Sequence, residues 1–188
     1  MPALTHAFYT TESAIKLSLA LYFAGLSLAQ LSAGPSADAL GRRKSAMIFL
    51  SIFLAGSLIA VFAPTIEILL AARLLQGIGA SIGITVARAI VRDQFTGKDS
   101  AAILNLTGTL MAIGPAAAPT LGGLLLSYLG WQSIFIALAL MALGALGTIL
   151  FLLVETTTPD INNLRPATII RNYGELLQDR SFLMTCLI

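Results

Sequence analysis

The chain has 188 residues, of which 57% are hydrophobic and only 11% charged, with a formal net charge of +2 and a mean hydropathy of +0.88. A soluble domain carries about a quarter charged residues, so a water-soluble globule is excluded. Nucleic-acid binding is excluded as well, because no Lys/Arg run is interleaved with exposed aromatics. One cysteine, Cys186, and one histidine, His6, leave no internal disulfide and no cysteine-only metal cluster, and neither a metal nor another cofactor is expected.

In chain order, residues 1–13 read as a loop. Residues 14–33 form a first apolar run, broken by Lys16, Gln30 and several serines, and long enough to span a bilayer. The polar stretch Gly34-Pro35-Ser36-Ala37-Asp38-Ala39-Leu40-Gly41-Arg42-Arg43-Lys44 follows. Its glycines permit a tight reversal, and Pro35 removes a backbone donor near the end of the preceding helix. The second span is 45–63, closed by a short connection around Pro64 that carries no cation. The third is 66–90, interrupted by Arg73 and Gln76, and residues 91–100 are polar with Arg92, Asp93, Lys98 and Asp99. The fourth, 101–128, is rich in Gly, Ala and Pro. A turn at Leu129-Gly130-Trp131-Gln132 places Tyr128 and Trp131 for an interfacial belt. The fifth span is 133–154. Residues 155–180 are polar, and 181–188 turn apolar again.

The expected fold is an all-α membrane protein, a transmembrane helix bundle of about five complete spans plus the start of another. Residues 1–154 form the partial bundle, 155–180 a central cytoplasmic loop, and 181–188 the start of the next helix. Arg42, Arg43, Lys44, Arg88, Arg92, Lys98, Arg165, Arg171 and Arg180 fall on one side, and Lys16 alone lies near the other. Positive charge stays in the cytoplasm, so the connections at Pro64 and Gly130 face outside. The apolar restart at 181–188 reads as an unfinished helix, and the chain is expected to be a piece of a longer one.

Three stretches carry candidate chemistry. Arg73 lies about a turn and a half beyond Glu67, inside the hydrocarbon region, where an arginine is costly and marks a bundle interior or an ion route. Snorkelling to the outer interface is the plainer reading, and the depth allows it only in part. Gln76, three residues on, shares its face. In Gly77-Ile-Gly79-Ala-Ser81-Ile-Gly83 a G-x-S-x-G nucleophile elbow is present in letters only, since no strand precedes it and His6 is the one candidate base. A dinucleotide site fails for want of a third glycine in register. Gly79-x-x-x-Gly83 reads better as a helix-packing face. In Gly114-Pro115-Ala-Ala-Ala118-Pro119-Thr-Leu-Gly122-Gly123, two prolines four apart each remove a helical hydrogen bond, so a bend, hinge or gate is expected.

The basic stretch, residues 73–79 and residues 114–123, in this order, together resemble the major facilitator superfamily. Gly34, Asp38, Gly41, Arg42 and Arg43 match its signature loop G-x-x-x-D-x-x-G-R-R/K. Arg73, Gln76, Gly77 and Gly79 match the R-x-x-Q-G motif of its fourth helix, whose arginine the family links to proton coupling. Gly114, Ala118, Pro119, Gly122 and Gly123 match the antiporter motif G-x-x-x-G-P-x-x-G-G of its fifth helix, with Ala118 in place of a glycine. With Ala87-Arg88-Ala-Ile-Val-Arg92-Asp93, the chain looks like the Bcr/CflA drug-resistance subfamily of drug/proton antiporters.

The resemblance implies that the five spans are family helices two to six, in a multi-pass protein of the bacterial inner (plasma) membrane. It implies proton-coupled export of drug-like small molecules, with no enzyme activity. Arg73 and Gln76 would serve proton coupling at the cavity. Gly34, Asp38, Gly41, Arg42, Arg43, Arg92 and Asp93 would form a cytoplasmic gating loop. Most of the first helix, with its acidic residue, and the whole C-terminal half would be supplied from outside these residues, by the rest of a longer chain or by a complementary one. The alternative is a transport-incompetent remnant, or a half-transporter that assembles with a partner. A membrane-embedded enzyme fares poorly, because the spans hold no His/Asp/Glu cluster.

Overall fold

The structure is a computed structural model that describes Thr5 and residues 7–155. His6, Cys186, Arg165, Arg171, Arg180, the loop expected beyond Glu155 and the helix start at 181–188 lie outside the described residues.

The described chain folds into α1 (Glu12–Leu40), α2 (Arg42–Val61), α3 (Ile66–Ala80), α4 (Ile82–Gln94), α5 (Gly97–Leu129) and α6 (Gln132–Leu152), with no strand among the described residues. Taking α3 and α4 as one span, five helices are long and apolar enough to cross a membrane. With no water in the bilayer core, a helix meets this condition by satisfying its backbone internally. The protein is therefore an integral, multi-pass membrane protein.

The helix ends differ from the expectation at the basic stretch. Gly34 and Pro35 do not turn the chain: α1 runs through both and ends at Leu40. A proline φ is already helical and glycine opposes no helix sterically, so a stretch outside the hydrocarbon can carry both. The reversal is confined to Gly41, whose φ of +90° is open to glycine and costly to any other residue. α1 begins at a Thr11 cap, whose hydroxyl accepts from the Ala14 N–H at 3.4 Å. Between α3 and α4 the backbone tightens at Ser81: its N–H bonds the Ile78 carbonyl at 3.3 Å, three residues back, and its hydroxyl donates to the same oxygen at 2.7 Å. α5 is continuous through Pro115 and Pro119.

α3 is wedged between α1 and α2, and glycines make this possible. A Cβ at Gly77 would fall on the Tyr22 carbonyl oxygen of α1, and one at Gly79 on the Phe53 backbone nitrogen of α2. From the other side, a Cβ at Gly25 would lie 2.5 Å from the Leu74 carbonyl oxygen, and one at Gly56 would lie 2.9 Å from that of Ala72. In lipid the hydrophobic effect does not draw helices together, so close backbone packing of small residues is a main attraction. The expected Gly79-x-x-x-Gly83 pair is corrected to this two-sided arrangement, because Gly83 has open space where its Cβ would be. One apolar cluster, of Ala33, Ala37, Ala46, Ile82 and Val86, sits at the cation-rich end; a second, of Ala60, Ala63, Leu69, Ala72 and Phe135, sits at the opposite end. Trp131 packs on Phe8 and Phe135, at 5.1 and 6.1 Å between ring centres. No residue of α5 is buried.

Candidate functional site

Two polar constellations stand out, one within the bundle and one at its cation-rich end. In the first, the i, i+3 spacing of Arg73 and Gln76 brings them together as expected: the Arg73 Nη1 donates to Gln76 Oε1 at 2.7 Å. Gln76 is fully buried, and its Nε2 donates to the Ser57 hydroxyl of α2 at 2.8 Å. Ser57 in turn donates to the Phe53 carbonyl at 2.8 Å. The chain of donors thus runs from a half-buried guanidinium into the backbone of the neighbouring helix.

The Arg73 guanidinium also lies over the Tyr22 ring of α1, 4.5 Å from its centre, and 6.0 Å from that of Phe135 of α6. A ring face attracts a cation without neutralising it. Among the described residues no carboxylate lies within ion-pair distance of Arg73; the ion pairs there are both made by Arg42. Among the described residues the guanidinium is therefore positioned by neutral groups. Tyr22 and Ser57 were not among the residues the sequence pointed to, because their roles rest on packing between helices that local spacing does not reveal.

The second constellation ties four helix ends together. Arg42, at the start of α2, bonds Asp38 of α1 at 2.5 Å and Asp93 of α4 at 3.3 Å. Glu155, three residues past α6, accepts from the Arg42 and Arg43 backbone N–H groups at 2.7 and 3.3 Å. The Arg43 side chain donates to the Leu150 carbonyl at 2.7 Å, and the Ser45 hydroxyl to the Ser36 carbonyl at 2.7 Å. Asp38, Gly41, Arg42, Arg43 and Asp93 are thus brought together. Gly34 is one turn back within α1 and has open space where a Cβ would be. Arg92 is not drawn into this cluster; it lines a separate cleft with Arg88 between α4 and α5.

Glu155 is the member that sequence reasoning missed. A signal for it existed: α2 opens on Arg42-Arg43-Lys44 with a glycine at its N-cap and no side-chain cap. Three cations at the positive end of a helix dipole call for an anion from elsewhere. Gly41 leaves room for it, since a Cβ there would meet the Glu155 carboxylate. Replacing Glu155 by alanine is expected to lower stability by about 1 kcal/mol, the usual worth of a cap. Thermal unfolding in detergent checks this, and the deficit should shrink as salt screens the wild-type interaction.

The antiporter-motif residues Gly114, Ala118, Pro119, Gly122 and Gly123 lie along α5, and the three glycines among them have no neighbour where a Cβ would be. The structure does not bring them to either constellation.

The whole chain, residues 1–188, matches the description of the Major Facilitator Superfamily. The protein belongs to that superfamily. It is 38% identical over 187 residues to the uncharacterized MFS-type transporter YdgK of Bacillus subtilis, covering 97% of this chain and 46% of the relative. It is 35% identical over 156 residues to the multidrug resistance protein MdtL of Escherichia coli, covering 83% of this chain and 40% of that protein. The chain thus spans less than half the length of these relatives. In structure it is similar to the human organic anion transporter MFSD10, with a TM-score of 0.63 at 24% identity, over 78% of this chain and 33% of that one. That likeness shows the fold: a transporter-type helix bundle.

Proposed function

We propose that the chain forms part of the N-terminal half of a proton-coupled exporter of drug-like small molecules, a drug/proton antiporter of the Bcr/CflA type in a bacterial inner membrane. The observation that carries this reading is Arg73, an intramembrane cation fixed by Gln76 and the Tyr22 ring and left without a counter-charge among the described residues. A guanidinium so held lowers the proton affinity of any carboxylate brought near it, which is how an exporter can exchange a proton for a substrate. MdtL is by name a multidrug resistance protein, which supports a drug-like substrate. Glu67 lies in the first turn of α3, at the outer end of its span, so the proton-carrying carboxylate is assigned outside the described residues.

The Asp38–Arg42–Asp93–Glu155 cluster acts in this reading as a cytoplasmic latch. Each ion pair at this partly exposed end is worth little, about 1 kcal/mol. Four helix ends held by one arginine and one capping carboxylate can still bias two conformations by the few kcal/mol that set their populations.

The test is efflux from vesicles holding the full-length protein under an imposed pH gradient, with ethidium as the probe. Arg73→Ala should abolish pH-driven efflux while the protein still inserts; efflux at the wild-type rate would overturn the assignment. A second reading, a half that works only with a partner, is favoured by α5, whose small-residue face is uncovered among the described residues. Efflux that appears only when a complementary half is co-expressed would select it.

A further inference from the structure

We infer that the cleft between α4 and α5 is a binding site for an oxyanion of phosphate-ester chemistry. Arg88 and Arg92 stand four residues apart on α4 and so share one helix face. With Leu104, Asn105, Thr107, Gly108 and Met111 of α5 they line a cleft of ≈ 240 Å³. The lining holds two cations and no acid. Thr107 already donates its hydroxyl proton to the Ile103 carbonyl at 2.8 Å, so the donors left to a ligand are the two guanidinia and the Asn105 amide. Gly108 has nothing within reach of a Cβ, which keeps the cleft open beside them.

Asp93, next to Arg92 in sequence, pairs with Arg42 at 3.3 Å, and among the described residues no ion pair or hydrogen bond is made by the Arg88 or Arg92 side chains. Both lie within the last two turns of a membrane span. Solvation by snorkelling would account for one such arginine. Two on one face, lining one concave surface together with an amide, offer the planar donor forks that bind phosphate bidentately. They stand at the cation-rich end of the bundle, the depth at which lipid phosphates of the cytoplasmic leaflet lie. The ligand is thus either an anionic lipid headgroup or the phosphate of a soluble molecule entering from the cytoplasm. The inference does not depend on the transport reading.

The experiment measures binding of two probes to the purified protein in detergent: short-chain phosphatidylglycerol, with phosphatidylcholine of equal chain length as the reference, and inorganic phosphate. Arg88→Gln and Arg92→Gln should each weaken binding about tenfold or more, the worth of a hydrogen bond to a charged group. Lys44→Gln, which removes an exposed cation at the same end, should leave binding within about twofold. The double variant with lysine at both positions keeps the charge without the fork and should bind at an intermediate level, which guards against a folding artefact. Phosphatidylglycerol binding that phosphate does not displace assigns the headgroup; phosphate binding with the same arginine dependence assigns a soluble ligand. Binding of neither probe, or binding that the glutamine variants leave unchanged or that Lys44→Gln reduces equally, overturns the site.

Discussion

Gly77→Ala should destabilise the bundle by about 1–3 kcal/mol, although the change adds one methyl group to a residue type that normally gains from it. In a helix interior alanine is favoured over glycine by roughly 0.5–1 kcal/mol, so the sign must come from packing. The new Cβ would clash with the Tyr22 carbonyl oxygen, with the Leu26 backbone nitrogen at 2.9 Å. These are backbone atoms, and no rotamer change can move them. α1 must back away from α3, losing the close contact along its length, a cost in the usual range for overpacking. Gly83→Ala is the matched control: it lies six residues further along the same span, has open space around it, and should be neutral or stabilising. Unfolding of both variants in detergent decides the matter. Equal effects at the two positions would mean that glycine serves backbone flexibility here and that α3 is not wedged as described. Because the Tyr22 ring also lies under Arg73, Gly77→Ala should disturb the arginine site as well.

The contrast between Gly77 and Gly83 shows where sequence reasoning reached and where it stopped. Both glycines belong to the same small-residue run, and spacing alone favoured Gly79 with Gly83. Which face of a helix meets a neighbour depends on where the other spans lie, and local spacing does not contain that. The five spans themselves were legible, because hydrocarbon thickness and backbone satisfaction leave a chain this apolar little else to form. A pair closed within one turn was legible too, as Arg73 with Gln76 shows. Contacts between distant segments were not. Ser57 is 19 residues from Gln76, and Glu155 is 113 from Arg42. The basic stretch was located correctly, but its turn was spread over all its glycines when a single positive φ at Gly41 accomplishes the reversal. Arg92 and Asp93 are neighbours in sequence and point to different sites, because adjacent helix positions are about 100° apart around the axis.

Gln76→Leu should cost about 3 kcal/mol and Gln76→Glu far less, yet both should stop proton-driven efflux. Leucine nearly preserves the volume but strips Arg73 of its acceptor and Ser57 of its donor at a fully buried position. A hydrogen bond to a charged group is worth about 1.5–3 kcal/mol, and a half-buried guanidinium left without an acceptor adds its own penalty. Glutamate restores an acceptor for Arg73 at the 2.7 Å position the amide oxygen holds now. The Ser57 hydroxyl, which loses the amide donor in either variant, can turn its proton from the Phe53 carbonyl to the carboxylate, so the fold should tolerate the change. What it removes is the feature on which coupling is proposed to rest, because a carboxylate beside Arg73 neutralises the charge that neutral ligands leave free. Thermal unfolding and vesicle efflux, measured on the same three proteins, separate the two roles. If Gln76→Glu supports wild-type efflux, the free charge of Arg73 is not the coupling element, and the Arg73–Gln76–Ser57 chain is then a structural tie between α3 and α2. If it is stable and inactive, the neutral coordination of Arg73 is itself the functional device, and the amide at position 76 is there because it can hold an arginine without discharging it.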